Sequence, residues 1–164
     1  MNYIGFSKYD TANGPGVRVS LFVSGCTVHC RGCFNQESWD FAAGKPFTDE
    51  TRDAILKALD NPYVAGFSLL GGDPFEPAHE ATLVKLLAAI KTRFPEKTVW
   101  AWTGRIFDKV KTSPLLGYID VLVDGPFVEK KKVTEQGLWY GSTNQRVLKI
   151  VPDAAGCRAE PTVA

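Results

Sequence analysis

A chain of 164 residues, 45% of them hydrophobic, can bury a sizeable core in one domain and leaves little room for a second. Its 19 Lys and Arg nearly balance 18 Asp and Glu, which argues against an electrostatic footprint for nucleic acid or an anionic membrane surface. Residues 1–6 carry no basic segment leading into an apolar run, and no stretch approaches a membrane span, so a cytoplasmic protein with four reduced cysteines is expected.

Residues 17–23 alternate and are rich in β-branched side chains, which predicts a strand. A cysteine-bearing loop follows at once. Residues 47–60 predict a helix: Thr48 offers an N-cap, Asp49 and Glu50 suit the first turn, and Ile55, Leu56 and Leu59 give an apolar stripe that Asn61-Pro62 stops. Residues 66–70 predict a short buried strand ending at Gly71-Gly72. Residues 80–94 predict the longest helix, with Leu83, Leu86, Leu87 and Ile90 at helical spacing before Pro95. Residues 98–102 predict a strand broken by Thr103-Gly104, residues 106–111 a short helix, residues 118–123 a strand and residues 146–151 the last strand. Lys130-Lys131-Lys132 reads as a solvated loop. Residues 153–164, rich in Ala, Pro and Gly, are expected to form a loose C-terminal tail. Strands alternating with helices predict a single α/β domain over residues 1–164, built on an open, mostly parallel sheet. A complete eightfold β/α barrel takes about 250 residues, so only a partial, incomplete barrel fits.

The densest chemistry lies in residues 25–35, where Cys26, Cys30 and Cys33 are spaced Cys-x3-Cys-x2-Cys. Thiolates select soft metals, iron–sulfur clusters and zinc foremost. Three of them can hold three irons of a 4Fe–4S cubane and leave the fourth iron open to a small molecule. A zinc-stabilised interaction module is the competing reading, with His29 completing a Cys3His set. Structural zinc sites usually draw on two separated pairs of ligands, and no second pair follows here. Inert core thiols are a third reading. Cys157 is remote from the trio and reads as a free thiol. Gly71-Gly72-Asp73-Pro74 directly follows a predicted strand. Two glycines at a strand end let a ligand approach the backbone or permit positive φ, and a plain turn explains them equally.

The cysteine spacing resembles that of the radical S-adenosylmethionine enzymes. Gly71-Gly72-Asp73-Pro74 resembles their glycine-rich segment, with Asp73 where broader members carry Glu. Other segments are similar to those of the activating proteins of anaerobic (class III) ribonucleoside-triphosphate reductase: Asn13-Gly14-Pro15-Gly16-Val17-Arg18, Phe34-Asn35 with Trp39, Trp102-Thr103-Gly104, and residues 21–25, 121–125 and 141–146. The similarity runs from Asn13 to Arg146.

The resemblance implies a radical-SAM-type partial β/α barrel. It implies one 4Fe–4S cluster on Cys26, Cys30 and Cys33 with one open iron, and S-adenosylmethionine as second cofactor. The amino group of S-adenosylmethionine would lie at Gly71, Gly72 and Asp73, and its adenine against the backbone of Gly32, Cys33 and Phe34. Many superfamily members place an aromatic residue just before the third cysteine, whereas here Gly32 stands there and Phe34 follows. No catalytic side chain beyond the cluster and cofactor is implied.

The implied reaction is reductive cleavage of S-adenosylmethionine, after which a 5′-deoxyadenosyl radical abstracts hydrogen from a glycine of the reductase. The implied partners are the large subunit of the anaerobic reductase and a flavodoxin- or ferredoxin-like electron donor, with no nucleic acid and no membrane. An activase of another glycyl-radical enzyme, or a small-molecule enzyme of the same superfamily, would share these features. Asn144 and Arg146 suit either a cofactor or partner contact or a turn. Trp100 and Trp102 read as core, His29 as an exposed loop residue, and His79 as a helix-start residue without a partner.

Overall fold

The computed structural model describes residues 1–162; Val163 and Ala164, the end of the expected tail, lie outside the described residues. Eight strands form one sheet: β1 (Asn2–Asp10), β2 (Val17–Val23), β3 (Lys45–Pro46), β4 (Val64–Gly71), β5 (Thr98–Trp102), β6 (Val121–Asp124), β7 (Arg146–Asp153) and β8 (Gly156–Pro161). Their order is β3-β1-β2-β4-β5-β6-β7-β8, an open sheet with β3 and β8 at its edges. Three helices accompany it: α1 (Asp49–Leu59), α2 (Glu80–Arg93) and α3 (Phe107–Val110). Thr48 caps α1 as expected, its Oγ1 accepting the Thr51 N–H at 3.4 Å. Among the described residues, no helix is long and apolar enough to cross a membrane.

The expectation of a mostly parallel sheet is corrected to a mixed one. The β2-β4, β4-β5 and β5-β6 pairs are parallel, and the other four pairs are antiparallel. The cause lies in the connections. Helices cross over between the central strands, but β1 to β2, β6 to β7 and β7 to β8 are joined without a crossover helix, and such joins favour antiparallel pairing. The expected loose tail is corrected too: β8 pairs with β7 from Gly156 opposite Asp153 to Pro161 opposite Leu148.

The two faces of the central sheet differ. Val19, Phe67 and Val99 are in register, as are Leu21, Leu69, Ala101 and Leu122; all are buried in one core with Ile55 and Leu59 of α1 and Leu83, Leu87 and Ile90 of α2. Period-2 side-chain alternation sends Ser20, Phe22, Ser68, Leu70, Trp100 and Trp102 to the opposite face, outside that core.

Candidate functional site

Because β2, β4, β5 and β6 run parallel, the segments leaving their carboxyl ends lie side by side. These are the cysteine loop, the Gly71–Gly72 turn, the Thr103–Arg105 turn and the segment after Asp124. Open α/β sheets bind ligands at this end.

The cysteine loop is fixed most firmly at its start. The Gly25 N–H donates to the Ser38 carbonyl at 2.7 Å and the Cys26 N–H to that of Trp39 at 3.1 Å. Cys26 is buried, Cys30 and Cys33 are half-buried, and all three are free thiols. The Cys33 N–H donates to the Cys30 carbonyl at 3.1 Å, closing a tight turn around Gly32, whose φ is +76°. Burial pushes the Cys26 and Cys30 thiols up, although backbone N–H groups of His29 and Val28 oppose it at Cys26 and that of Phe127 at Cys30.

The donor chemistry fits an iron–sulfur cluster. Three free cysteines share one loop with no carboxylate among them, and soft thiolate sets suit such clusters. Among the described residues no three Cys, His, Asp or Glu side chains converge on the position of a single ion. In a cubane each thiolate serves a different iron, so its sulfurs need not meet at a point. His29, which a Cys3His zinc site would require, is exposed with its ring stacked on Trp39, centroids 4.4 Å apart.

The glycine pair is held closely against the chain's own backbone. The Gly72 N–H donates to the Val23 carbonyl at 2.7 Å and the Asp73 N–H to that of Gly25 at 2.8 Å. A Cβ on Gly72 would stand 2.3 Å from the Gly25 oxygen. Close approach of this chain's own backbone therefore requires glycine there, and it ties the end of β4 to the residue before Cys26. Both glycines also line a cavity of about 470 Å³ on the helix-free side of the sheet, with Phe22, Phe34, Trp102, Phe127 and Trp139 among its walls. That volume is within the usual range of small-molecule sites, about 300–1,000 Å³.

Asp73 does not line the cavity. Its fully buried carboxylate accepts from the Phe75 N–H at 2.9 Å, the Thr103 hydroxyl at 2.9 Å, the Gly104 N–H at 3.1 Å and Arg105 at 2.6 Å. Of the expected Gly71, Gly72 and Asp73 cradle, the structure brings the two glycines to the cavity and turns the Asp73 side chain toward Thr103 and Arg105. The short side chain folds back onto the backbone two residues on, as aspartates in turns do. Gly32 is also off the cavity, with the Glu129 side chain packed over it. Of the expected cofactor residues, Phe34, Gly71 and Gly72 reach the cavity, and Cys33 adjoins it through Phe34.

Residues 12–148 match the family model described as a 4Fe-4S single cluster domain. The anaerobic ribonucleoside-triphosphate reductase-activating protein of Enterobacteria phage T4 is 41% identical over 147 residues, covering 90% of this chain and 93% of that protein. That of Vibrio cholerae is 43% identical over 150 residues, 88% of this chain and 96% of the relative. That of Escherichia coli K12 is 40% identical over 151 residues, 90% and 97% of the two chains. The chain belongs to the family of anaerobic ribonucleoside-triphosphate reductase-activating proteins.

Several family-like segments prove to be braces. Arg18 is wholly buried and bonds to Ser68, whose hydroxyl in turn donates to the Asn13 carbonyl at 2.6 Å, so the 13–18 segment is clipped to β4. Asn144 donates to the Pro126 carbonyl at 2.8 Å, and Arg146 pairs with buried Asp124, so the 141–146 segment fastens the turn after β6. These contacts are the turn role left open for both residues. Arg146 faces a second cavity of about 470 Å³ between α3 and the β7–β8 hairpin. Trp102, expected in the core, is only half-buried and faces the first cavity, its indole N–H held by the Trp139 carbonyl at 2.7 Å. Cys157 lies on β8, five strands from β2, about 24 Å by ordinary strand spacing.

Sequence reasoning missed one cluster altogether. Arg105 donates to Asp73 at 2.6 Å, to Glu76 at 2.8 Å and to the Thr27 hydroxyl at 3.0 Å. The Thr27 N–H and hydroxyl both donate to Glu76 Oε1, at 2.7 and 2.8 Å. Three loops are joined next to Cys26. The available signal was a charged residue just past each of two neighbouring strand ends, but no spacing rule links them.

Proposed function

We propose that this protein activates an anaerobic ribonucleoside-triphosphate reductase by generating a glycyl radical on it, using one 4Fe–4S cluster on Cys26, Cys30 and Cys33 and S-adenosylmethionine as second cofactor. The observation that carries the reading is the position of the cysteine loop: it stands at the carboxyl end of four parallel strands, beside a cavity that Phe34 and the Gly71–Gly72 turn help to line. The names of the relatives supply the substrate. When bound, the cluster and S-adenosylmethionine supply one-electron cleavage of the sulfonium and hydrogen abstraction from a glycine.

The chain's own residues hold and orient. Gly71 and Gly72 offer strand-end backbone to the amino group of S-adenosylmethionine, without the Asp73 side chain. Phe34 and Trp102 present aromatic surface for the adenine. Helices on one face of the sheet and a cavity on the other favour a radical-SAM-type partial barrel in a single domain, open on one side to a large protein. Phe34, 94% exposed at the cavity rim, suits such a partner. A flavodoxin- or ferredoxin-like donor in the cytoplasm would provide the electron.

The test begins with protein purified without oxygen, assayed for iron and acid-labile sulfide. Each of Cys26→Ala, Cys30→Ala and Cys33→Ala is expected to lose the cluster, and Cys157→Ala to keep it. Mixing the reduced protein with S-adenosylmethionine and the anaerobic reductase of the same organism should give a glycyl doublet in electron paramagnetic resonance. An intact cluster that cleaves S-adenosylmethionine but leaves no radical on the reductase would replace this reading with a small-molecule substrate. Zinc without sulfide would end it entirely.

A further inference from the structure

We propose that Glu76, acting with Asp73 and Arg105, is a positioning and charge-setting residue that lowers the reduction potential of the cluster on the Cys26 loop. This rests on the 4Fe–4S reading above. The three side chains are shielded from solvent, with exposures of 0% for Asp73, 4% for Glu76 and 22% for Arg105. Among the described residues Arg105 is the one cation that ion-pairs with either carboxylate. The cluster of three therefore carries a charge of −1.

The contacts of both carboxylates favour the ionised form. Thr103 Oγ1 accepts the Arg105 backbone N–H at 3.1 Å, which leaves its proton for Asp73, and each other polar contact of Asp73 is an N–H donor. Burial pushes the Asp73 carboxyl up despite the opposing pull of Arg105 and of the Phe75, Thr103 and Gly104 donors; a carboxylate ringed by donors is the state we assign. Burial raises Glu76 as well, but bonds from Arg105 and Thr27 outweigh it and hold Glu76 below the usual glutamate range.

The geometry aims this charge at the ligand loop. Glu76 Oε1 grips both the N–H and the hydroxyl of Thr27, the residue after Cys26. Asp73 is tied to the same loop, its N–H donating to the Gly25 carbonyl at 2.8 Å, one residue before Cys26. A fixed negative charge disfavours an added electron on a cluster bound beside it, and burial limits screening by salt. Net charge and hydrogen bonding around the sulfurs are recognised controls on cluster potential.

Two variants separate charge from scaffolding. Glu76→Gln keeps an oxygen that can accept from Thr27 and Arg105 but removes the charge. Arg105→Lys keeps the charge but loses the fork that spans the two carboxylates. Iron, sulfide and the cluster's midpoint potential are measured on reconstituted protein by anaerobic redox titration. Glu76→Gln should retain iron and become reduced severalfold more readily at a fixed poise. Arg105→Lys should retain the wild-type potential while losing iron faster to a chelator. An unchanged potential in Glu76→Gln overturns the proposal, as does an equal shift in Arg105→Lys. Should Glu76→Gln not hold iron, Arg105→Lys still decides, because a potential that moves at constant charge would assign the effect to geometry. Wild-type protein without iron and sulfide would instead remove the cluster reading itself.

Discussion

Arg18 and Arg105 lie at opposite ends of the parallel strands, and their partners differ in kind. Arg18, near the start of β2, donates to the Ser68 hydroxyl at 2.7 Å, the Thr98 hydroxyl at 3.1 Å and the carbonyls of Pro15, Phe67 and Thr98 at 3.3, 2.8 and 2.9 Å. No carboxylate bonds to it, and burial pushes its pKa down to about 10 against the distant pull of Asp120 and Asp10. Arg105, just past β5, sits instead between two carboxylates, which raise its pKa despite burial. Neutral acceptors close the amino end of the sheet around one charge. At the carboxyl end the charges are gathered next to the cysteine loop with negative charge in excess. In barrel-like α/β proteins the first end serves stability and the second the ligand, and the two arginines divide along that line.

The division predicts that Arg18→Met damages the fold and not the site. Its removal strands buried acceptors on Ser68, Phe67 and Thr98, which should cost about 4 kcal/mol of stability in the apo protein, measured by denaturant unfolding. Protein that still folds should load iron as wild type does and titrate at the wild-type potential. A shifted potential would break the contrast, because the amino end would then be acting on the site.

Gly72→Ala tests the opposite end with a smaller expected effect. The added Cβ meets the backbone of Gly25 and must push the residue before Cys26 aside. We expect about 2 kcal/mol of destabilisation, by analogy with other overpacking substitutions, and weaker retention of iron in the same variant. Loss of S-adenosylmethionine affinity with stability and iron both intact would show that Gly72 faces the ligand and not its own chain.

Much of this was legible in the sequence because it was local. The helical spacing of Leu83, Leu86, Leu87 and Ile90 marked α2, whose bounds differ from expectation by one residue, and Thr48 marked the start of α1. The cysteine spacing marked the loop, and its resemblance pointed to the family. What escaped was set by partners distant in the chain. β1 carries no clean alternation and a register shift between Tyr3 and Gly5, so only pairing with β2 reveals it. The half-exposed β8 looked like a tail because its composition is poor in β-branched residues; β7 supplies what it lacks. Asp73 matched a motif position but is claimed by Thr103 and Arg105, 30 and 32 residues away, and nothing in the local pattern announces that.

The smallest expected effect concerns pH. Both histidines of the chain lie in segments that follow the carboxyl ends of strands, His29 in the cysteine loop after β2 and His79 in the 3-10 turn that leads into α2 after β4, so the Arg18 end has no group of this type. His79 is 1% exposed, its ring 5.6 Å from that of Phe41, and neither ring nitrogen has a hydrogen-bond partner among the described residues. Burial lowers its pKa from 6.5, with the Gly25 backbone and Glu76 resisting. The folded protein thus binds fewer protons at this site than the unfolded chain. The stability that neutral His79 contributes is fully present above pH 6.5 and is lost as pH falls from there toward the depressed folded value. Apo protein should therefore weaken between about pH 7.5 and about pH 5.5, by at most about 1.4 kcal/mol per pH unit for one group. His79→Phe keeps an aromatic ring and should flatten that slope, whereas Arg18→Met should lower stability at every pH and keep the slope. A full slope in His79→Phe would mean that the pH response belongs to other groups, and the carboxyl end would lose its claim to be the pH-sensitive end of the sheet.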